Sequence, residues 1–240
     1  MQSNIYITLS AQMAMQRRLD TLANNMANIS TTGFRGEEVK FEELVSQISN
    51  DPVSFVSQGT SHISQSAGEL LQTGNQLDVA VRGNSWLAIQ TASGLAYTRD
   101  GRMQMSPTGE LTSMIGNPVL DVSGSPLQLD ASAGPPIIGK DGTITQNGRQ
   151  LGALGLFRMD PEAKLGRGEG ASVIPDISPT PELDFNSNGV VQGFIEKSNI
   201  NPILEMTRLI EVQRSFEAVS GVIRETETSM QDAMRLLSGP

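Results

Sequence analysis

The side chains with a claim to chemistry in this chain are few and scattered. His62 is the only histidine, and there is no cysteine. A lone imidazole cannot assemble a zinc site and has no thiol to activate, so solvated histidine accounts for it. Asp184-Phe185-Asn186-Ser187-Asn188-Gly189 matches the opening half of a calcium loop. That loop needs a bidentate Glu at its twelfth position, where this chain has Ile195, with Glu196 one residue late. A turn at Asn188-Gly189 leading into a Gly-Val-Val-Gln strand explains the same residues without a metal. Gly166-Arg167-Gly168-Glu169-Gly170 has the glycines of a phosphate loop but lacks the Lys-Ser/Thr that follows one. Arg99-Asp100-Gly101-Arg102 is rich in charge, yet Asp-Gly between alternating residues marks a hairpin turn. A hydrolase or carbohydrate-binding β domain would need convergent carboxylates, a histidine base or an aromatic platform. One Trp, two Tyr and no clustered acid pair argue against it. The expectation is a non-enzymatic protein with no cofactor and no metal.

The patterning is more informative than the chemistry. Apolar residues recur at Leu209, Val212, Phe216, Val219, Ile223, Met230 and Leu237, with Thr226 and Ala233 in the gaps. Steps of three and four make a heptad seam. A helix over that stretch is about 43 Å long. A second seam, Met15, Leu19, Leu22, Met26 and Ile29, stands at the other end of the chain. Ser30 to Gly33 stops it, with Gly33 placed to act as a left-handed C-terminal cap. The strict spacing favours pairing of the two terminal helices in a coiled coil over separate packing on a central domain. Asn201-Pro202 supplies an N-cap and first turn for the last helix. Asn24 and Asn28 point away from the seam and Asn25 flanks it. Their amides suit either solvated surface or contacts between packed chains, and spacing does not choose.

Between the helices, 37–48 has helix-forming composition, with Phe41, Leu44, Val45 and Ile48 on one face. Asp51-Pro52 ends it. The Ser-, Gln- and Gly-rich run to Gln76 reads as an extended segment ordered only by packing. From Leu77 onward, alternating stretches predict short strands: Leu77–Arg82, Trp86–Gln90, Gly94–Arg99, Arg102–Met105, Glu110–Thr112, Val119–Asp121, Ile137–Gly139, Thr143–Thr145 and Leu154–Phe157. The two Asp-Gly pairs, Asp100-Gly101 and Asp141-Gly142, are the predicted hairpin turns. The fold class expected is α+β with a mainly β middle. Residues 1–36 and 196–240 form a discontinuous coiled-coil polymerisation domain, 37–77 an extended connector, and 78–195 a β-rich outer domain.

Bulk properties narrow the partners. The net charge of −9 is wrong for phosphate backbones, so no nucleic acid is expected. No apolar run reaches the ~20 residues of a membrane helix, and no cleavable secretory signal is visible. Hydrophobic content of 38% with aromatics at 4% argues against a thick core and leaves room for a thin sheet or barrel.

Three blocks carry a resemblance to a known family. Ala23-Asn24-Asn25-Met26-Ala27-Asn28-Ile29-Ser30-Thr31-Thr32-Gly33-Phe34-Arg35 closely resembles the N-terminal signature of the flagellar rod and hook proteins. Thr73–Gly83 and Tyr97–Gly101 are similar to that family's central blocks, with Trp86-Leu87 where it usually has Phe-Phe. Gly193–Asn199 and Pro202–Ala218 resemble its C-terminal signature. The length and single modest β domain look most like the proximal-rod members, with distal-rod members the near alternative; hook proteins carry a larger middle. The resemblance implies a structural subunit of the basal-body rod, its terminal helices forming a tube and its β domain outside. It implies assembly through Met15, Leu19, Leu22, Asn24, Asn25, Met26, Asn28, Ile29, Thr32, Gly33 and Phe34. On the last helix it implies Leu209, Val212, Gln213, Phe216, Val219, Ile223, Met230 and Leu237. The partners implied are further copies, rod subunits of the FlgB, FlgC and FlgG types, and the flagellar type III export apparatus, with no membrane insertion. The location implied is the basal body, in a rod spanning the periplasm and exported without a cleaved signal.

Overall fold

The computed structural model describes residues 2–40, 43–46, 53–56 and 59–238. The chain is α+β and mainly β: helices α1 (Gln2–Ala27) and α2 (Pro202–Ser238) bracket nineteen short strands among the described residues. It divides into two compact units. One comprises Met1–Ala27, Glu37–His62 and Asn201–Pro240; the other comprises Asn28–Gly36 and Ile63–Ile200.

In the first unit α1 packs along α2. Ala14, Leu22 and Val212 are buried, while Met15, Leu19, Met26, Leu209, Phe216, Val219 and Ile223 are half-buried. The start of α2 is built as its residues predict. The Asn201 side-chain oxygen accepts from the backbone N–H groups of Ile203 and Leu204 at 3.1 and 3.2 Å. Pro202, with no N–H to satisfy, fills the first helical position, and Glu205 lies in the first turn where the helix dipole favours an anion. At the other end, α1 stops at Ala27, earlier than the sequence suggests, so Ile29 lies beyond the helix.

Residues 37–46 correct an expectation. Glu37–Lys40 and Glu43–Ser46 are strands, not a helix. Glu37–Lys40 pairs with Thr60–Ile63, and Glu43–Ser46 runs antiparallel to Val53–Val56 with Val45 opposite Ser54. A helix this short nucleates poorly in isolation, whereas each strand finds a ladder partner. Phe41, Ile48, Asp51 and Pro52 lie outside the described residues.

The second unit is centred on a six-stranded sheet. Its middle strand, Ser85–Thr91, pairs antiparallel with Gly94–Thr98 on one side and Leu156–Arg158 on the other. Leu87 and Ile89 join one core with Val79, Val81, Leu111, Leu154 and Val190. Trp86 and Ala88, on the opposite face of the same strand, join a second with Tyr97, Leu120 and Val173. Both faces being covered, the strand reads as a continuous apolar run, not an alternation. Smaller pairs surround the sheet. Val79–Arg82 lies against Gly189–Gln192, and Leu70–Gln72 against Phe194–Glu196.

Of the two Asp-Gly turns, one holds and one does not. At Asp141-Gly142 the chain turns back as predicted, with Gly142 at φ +84 and its N–H on the Gly139 carbonyl at 2.9 Å. At Asp100-Gly101 it turns a corner instead: Gly94–Thr98 stays in the large sheet while Met103–Met105 pairs with Leu111–Ser113. Gly101 is pressed onto Val79, whose oxygen would stand 1.9 Å from an added Cβ, and its carbonyl accepts the Val79 N–H. The expected single strand over Leu154–Phe157 also divides, at Leu154-Gly155, between Arg149–Ala153 and Leu156–Arg158.

Candidate functional site

The most heavily charged point in the interior is Glu196, at the end of the strand Phe194–Glu196. Its Oε1 takes the Arg35 guanidinium and its Oε2 the Arg99 guanidinium, both at 2.7 Å. The Gly68 N–H adds a third bond to Oε1 at 2.8 Å. Arg99 is 1% exposed, and its remaining nitrogens donate to the carbonyls of Gly83, Ser85 and Val81. The Trp86 ring lies under both cations, 5.8 Å from Arg35 and 5.9 Å from Arg99, where its π face favours positive charge. Burial and the neighbouring Arg99 pull the Arg35 pKa down to about 10, against the opposing attraction of Glu196. Burial likewise lowers that of Arg99, again opposed by Glu196. Both oxygens of this carboxylate are committed to buried partners, with no open face for a substrate. The knot is a fastening, not a reaction centre.

The chain around it is threaded closely. Gly33 sits at φ +68, and an added Cβ would meet the Asp100 nitrogen at 2.2 Å. Its N–H donates to the Glu196 carbonyl at 2.7 Å. Gly33 thus takes the left-handed conformation expected of it, but beyond the end of α1, for close approach of two backbones and not as a helix cap. The Asn199 side chain accepts from Gly36 N–H and donates to Ser66. Arg167, over the Phe34 ring at 4.2 Å, donates to the Arg35 carbonyl.

The first unit has a smaller buried joint of its own. Asn25, 5% exposed, donates from its amide to Glu205 Oε1 at 2.7 Å and to the Glu37 carbonyl at 2.9 Å. Its oxygen accepts the Glu37 N–H at 2.9 Å. Glu205, also 5% exposed, is reached on its other oxygen by Arg208 at 3.4 Å. Asn25 therefore ties α1, the strand Glu37–Lys40 and α2 together, a third role beside the two that spacing left open.

On the outside of α2 the apolar surface is larger than one partner helix covers. Ile203 is 79% exposed and Ile210 51%, with Leu204, Met206 and Val222 also open. Ile203, Met206 and Ile210 share a face at helical spacing. Asn24 and Gln213 are exposed; Asn28 is half-buried and accepts a bond from the Thr31 hydroxyl. Thr32, Gly33 and Phe34 are buried in the second unit. The side chains of Met230 and Leu237 lie outside those described, though both residues are in α2.

The residues weighed for chemistry have other employment. His62 is partly exposed, 3.5 Å from Glu38. The Asp184–Gly189 stretch is folded around Glu182, whose carboxylate takes the N–H groups of Leu183 and Asp184, the Ser85 hydroxyl and the Asn188 amide. Partial burial pushes the Glu182 pKa up, but these bonds outweigh it and hold it below its usual value. Asn188 is committed to Glu182 and to the Asn84 N–H, and Asp184 accepts the Asn186 N–H. Sequence reasoning singled out neither Glu196 nor Glu205 as a site residue. The available signal was an acid set in apolar strand or helix context, Phe194-Ile195-Glu196 and Leu204-Glu205-Met206.

Comparison with known proteins gives the same pattern throughout. Residues 5–35 match the family described as flagella basal body rod protein. Residues 80–146 match the flagellar hook protein FlgE/F/G D1 domain, and 191–236 the flagellar basal body rod FlgEFG protein C-terminal. The chain is 47% identical to the flagellar basal-body rod protein FlgF of Mesorhizobium japonicum, covering 99% of this chain and 98% of that one. It is 44% identical to FlgF of Rhizobium meliloti, over 100% and 99%. With the flagellar basal-body rod protein FlgG of Bacillus subtilis the identity is 28%, over 97% and 98%.

Proposed function

Because the chain belongs to the FlgF family of flagellar basal-body rod proteins, and is a structural subunit of that rod and not an enzyme, we propose that it polymerises through its terminal helices in the proximal part of the rod. There it transmits torque as part of the drive shaft. The observation that carries this reading is the open apolar face of α2, with Ile203, Met206 and Ile210 uncovered on a helix that already has α1 as a partner. In the proposed assembly that face meets a different surface of the next copy, which makes the contact heterologous. Such contacts build an open helical array. The partners are further copies and rod subunits of the FlgB, FlgC and FlgG types. The unit of Met1–Ala27, Glu37–His62 and Asn201–Pro240, and not the whole of 1–36 and 196–240, supplies the helical lattice, and the unit of Asn28–Gly36 and Ile63–Ile200 supplies the outer layer. The subunit reaches a periplasm-spanning rod through the flagellar type III apparatus without a cleaved signal. Identities of 47% and 44% to two FlgF proteins support the proximal position, while more distant FlgF relatives at 30% stand close to a FlgG protein at 28%.

The test replaces Ile203 or Ile210 by Asp on the open face, and Phe216 or Ile223 by Asp on the seam, in cells lacking the native gene. All four variants keep the β unit folded, read by the fluorescence of the single Trp86, and lose swimming and assembled rods. Wild-type motility in the open-face variants overturns the reading.

A further inference from the structure

We propose that Asn25 and Glu205 set the register in which α1 and α2 pair. The two are positioning residues for the assembly face described above, and the inference rests on that reading only in its consequence for assembly.

The seam between the helices is apolar and nearly periodic: Met15, Leu19, Leu22 and Met26 on α1, Leu209, Val212, Phe216, Val219 and Ile223 on α2. Apolar contact is not directional. Sliding one helix along the other by a turn, about 5.4 Å, exchanges one set of aliphatic neighbours for another of similar size. Nothing in such a stripe selects one alignment sharply.

Asn25 does select. Its amide makes three bonds, to Glu205 Oε1 at 2.7 Å, to the Glu37 carbonyl at 2.9 Å and from the Glu37 N–H at 2.9 Å. Those partners belong to two other elements, so the amide is a three-way fixture. In a slipped alignment Glu205 loses the amide and retains only Arg208 of its own helix, at 3.4 Å, and a buried carboxylate short of a donor is disfavoured. The penalty falls on the wrong registers and not on the right one. A single polar residue beside an apolar seam specifies alignment in this way in paired helices generally, at some cost in stability. Arg208, on the other Glu205 oxygen at 3.4 Å and less buried, leaves the carboxylate oriented toward Asn25. The register decides where Ile203, Met206 and Ile210 stand relative to α1, and hence the shape a neighbouring copy meets.

A fixture for register differs from a fixture for stability in a measurable way. The chain has no cysteine, so cysteines introduced at the exposed positions Ala23 and Arg214 take nitroxide labels at those sites alone. The distance between them is read by pulsed electron resonance in the full chain. In the parent and in Glu205→Gln, which keeps an acceptor for the Asn25 amide, one narrow distance is expected. In the double variant Asn25→Leu with Glu205→Leu, the distribution splits or broadens by about a helical turn, roughly 5 Å, while the helix melting temperature is retained or raised. The half-buried Glu37 backbone takes water in place of the lost amide. A single unchanged distance in the double variant overturns the proposal, and so does a broadened distance that comes only with loss of helix. Because the distances are taken on the isolated chain, their outcome is independent of the motility test of the open α2 face.

Discussion

Glu196 and Glu205 are both buried carboxylates, and both are answered by residues of the same N-terminal stretch, but with different chemistry. Glu196 holds two guanidiniums and a backbone N–H beside an indole ring. Glu205 holds one neutral amide and, at longer range, one partly exposed arginine. The first arrangement is a closed knot in which each member needs the others to be buried at all. The second is a hinge point between helices whose burial is otherwise apolar. A β unit with thin cores and many short strands is fastened by charge. The helix pair is joined through one neutral amide, which on the proposed reading indexes it without adding much strength.

The contrast yields graded expectations. Glu196→Leu leaves Arg35 and Arg99 buried without their counter-charge, a loss of about 3–5 kcal/mol. Against a typical total of about 5–15 kcal/mol this is enough to bring the β unit close to unfolding. Urea titration followed by Trp86 fluorescence measures it, and a loss below about 1 kcal/mol would show that the knot is not the fastening described. Glu205→Leu costs less, about 1 kcal/mol, because the Asn25 amide keeps its bonds to Glu37 and the carboxylate's own desolvation is removed with it. The helix signal in circular dichroism should report that change while the Trp86 transition stays where it was. A shared transition in both variants would merge the two joints into one.

Acid gives the mildest perturbation. Hydrogen bonds hold Glu182 below its ordinary 4.5 and Asp141 below its ordinary 3.8 in the folded chain. A folded pKa below the unfolded one means stability that is present at neutral pH. It is lost as pH falls through the ordinary carboxylate range toward the folded values. Glu182→Gln should flatten that part of the acid limb of the β unit's stability curve, followed by Trp86 fluorescence.

Much of this architecture could be read from residue order. The three-and-four spacing predicts α2, and Asn201-Pro202 its beginning, because caps and seams are local properties of a helix. Trp86–Gln90 and Thr143–Thr145 read as strands for the same kind of reason, their side chains alternating or running apolar over a few positions. The end of α1 and the strands Glu37–Lys40 and Glu43–Ser46 differ from the sequence expectation where local propensity is weak, and for the strands a distant partner decides. Glu37–Lys40 meets Thr60–Ile63, with Glu37 also bonded to Asn25, and Glu43–Ser46 meets Val53–Val56, so those residues are strand by pairing and not by preference. Gly101 looked like a hairpin glycine, and only its contact with Val79 makes it a corner.

The sequence by itself determined the class of protein: two terminal seams, a turn-rich β middle, no catalytic constellation and three blocks of one structural family. Tertiary structure alone decided what the charged residues in those blocks are for. Arg35, Arg99 and Glu196, and likewise Asn25 and Glu205, stand far apart along the chain. Periodicity reports which face of an element is apolar; it carries no information about which buried charge will meet which. That is settled only when burial removes water and leaves each charged group dependent on the partner the fold brings to it.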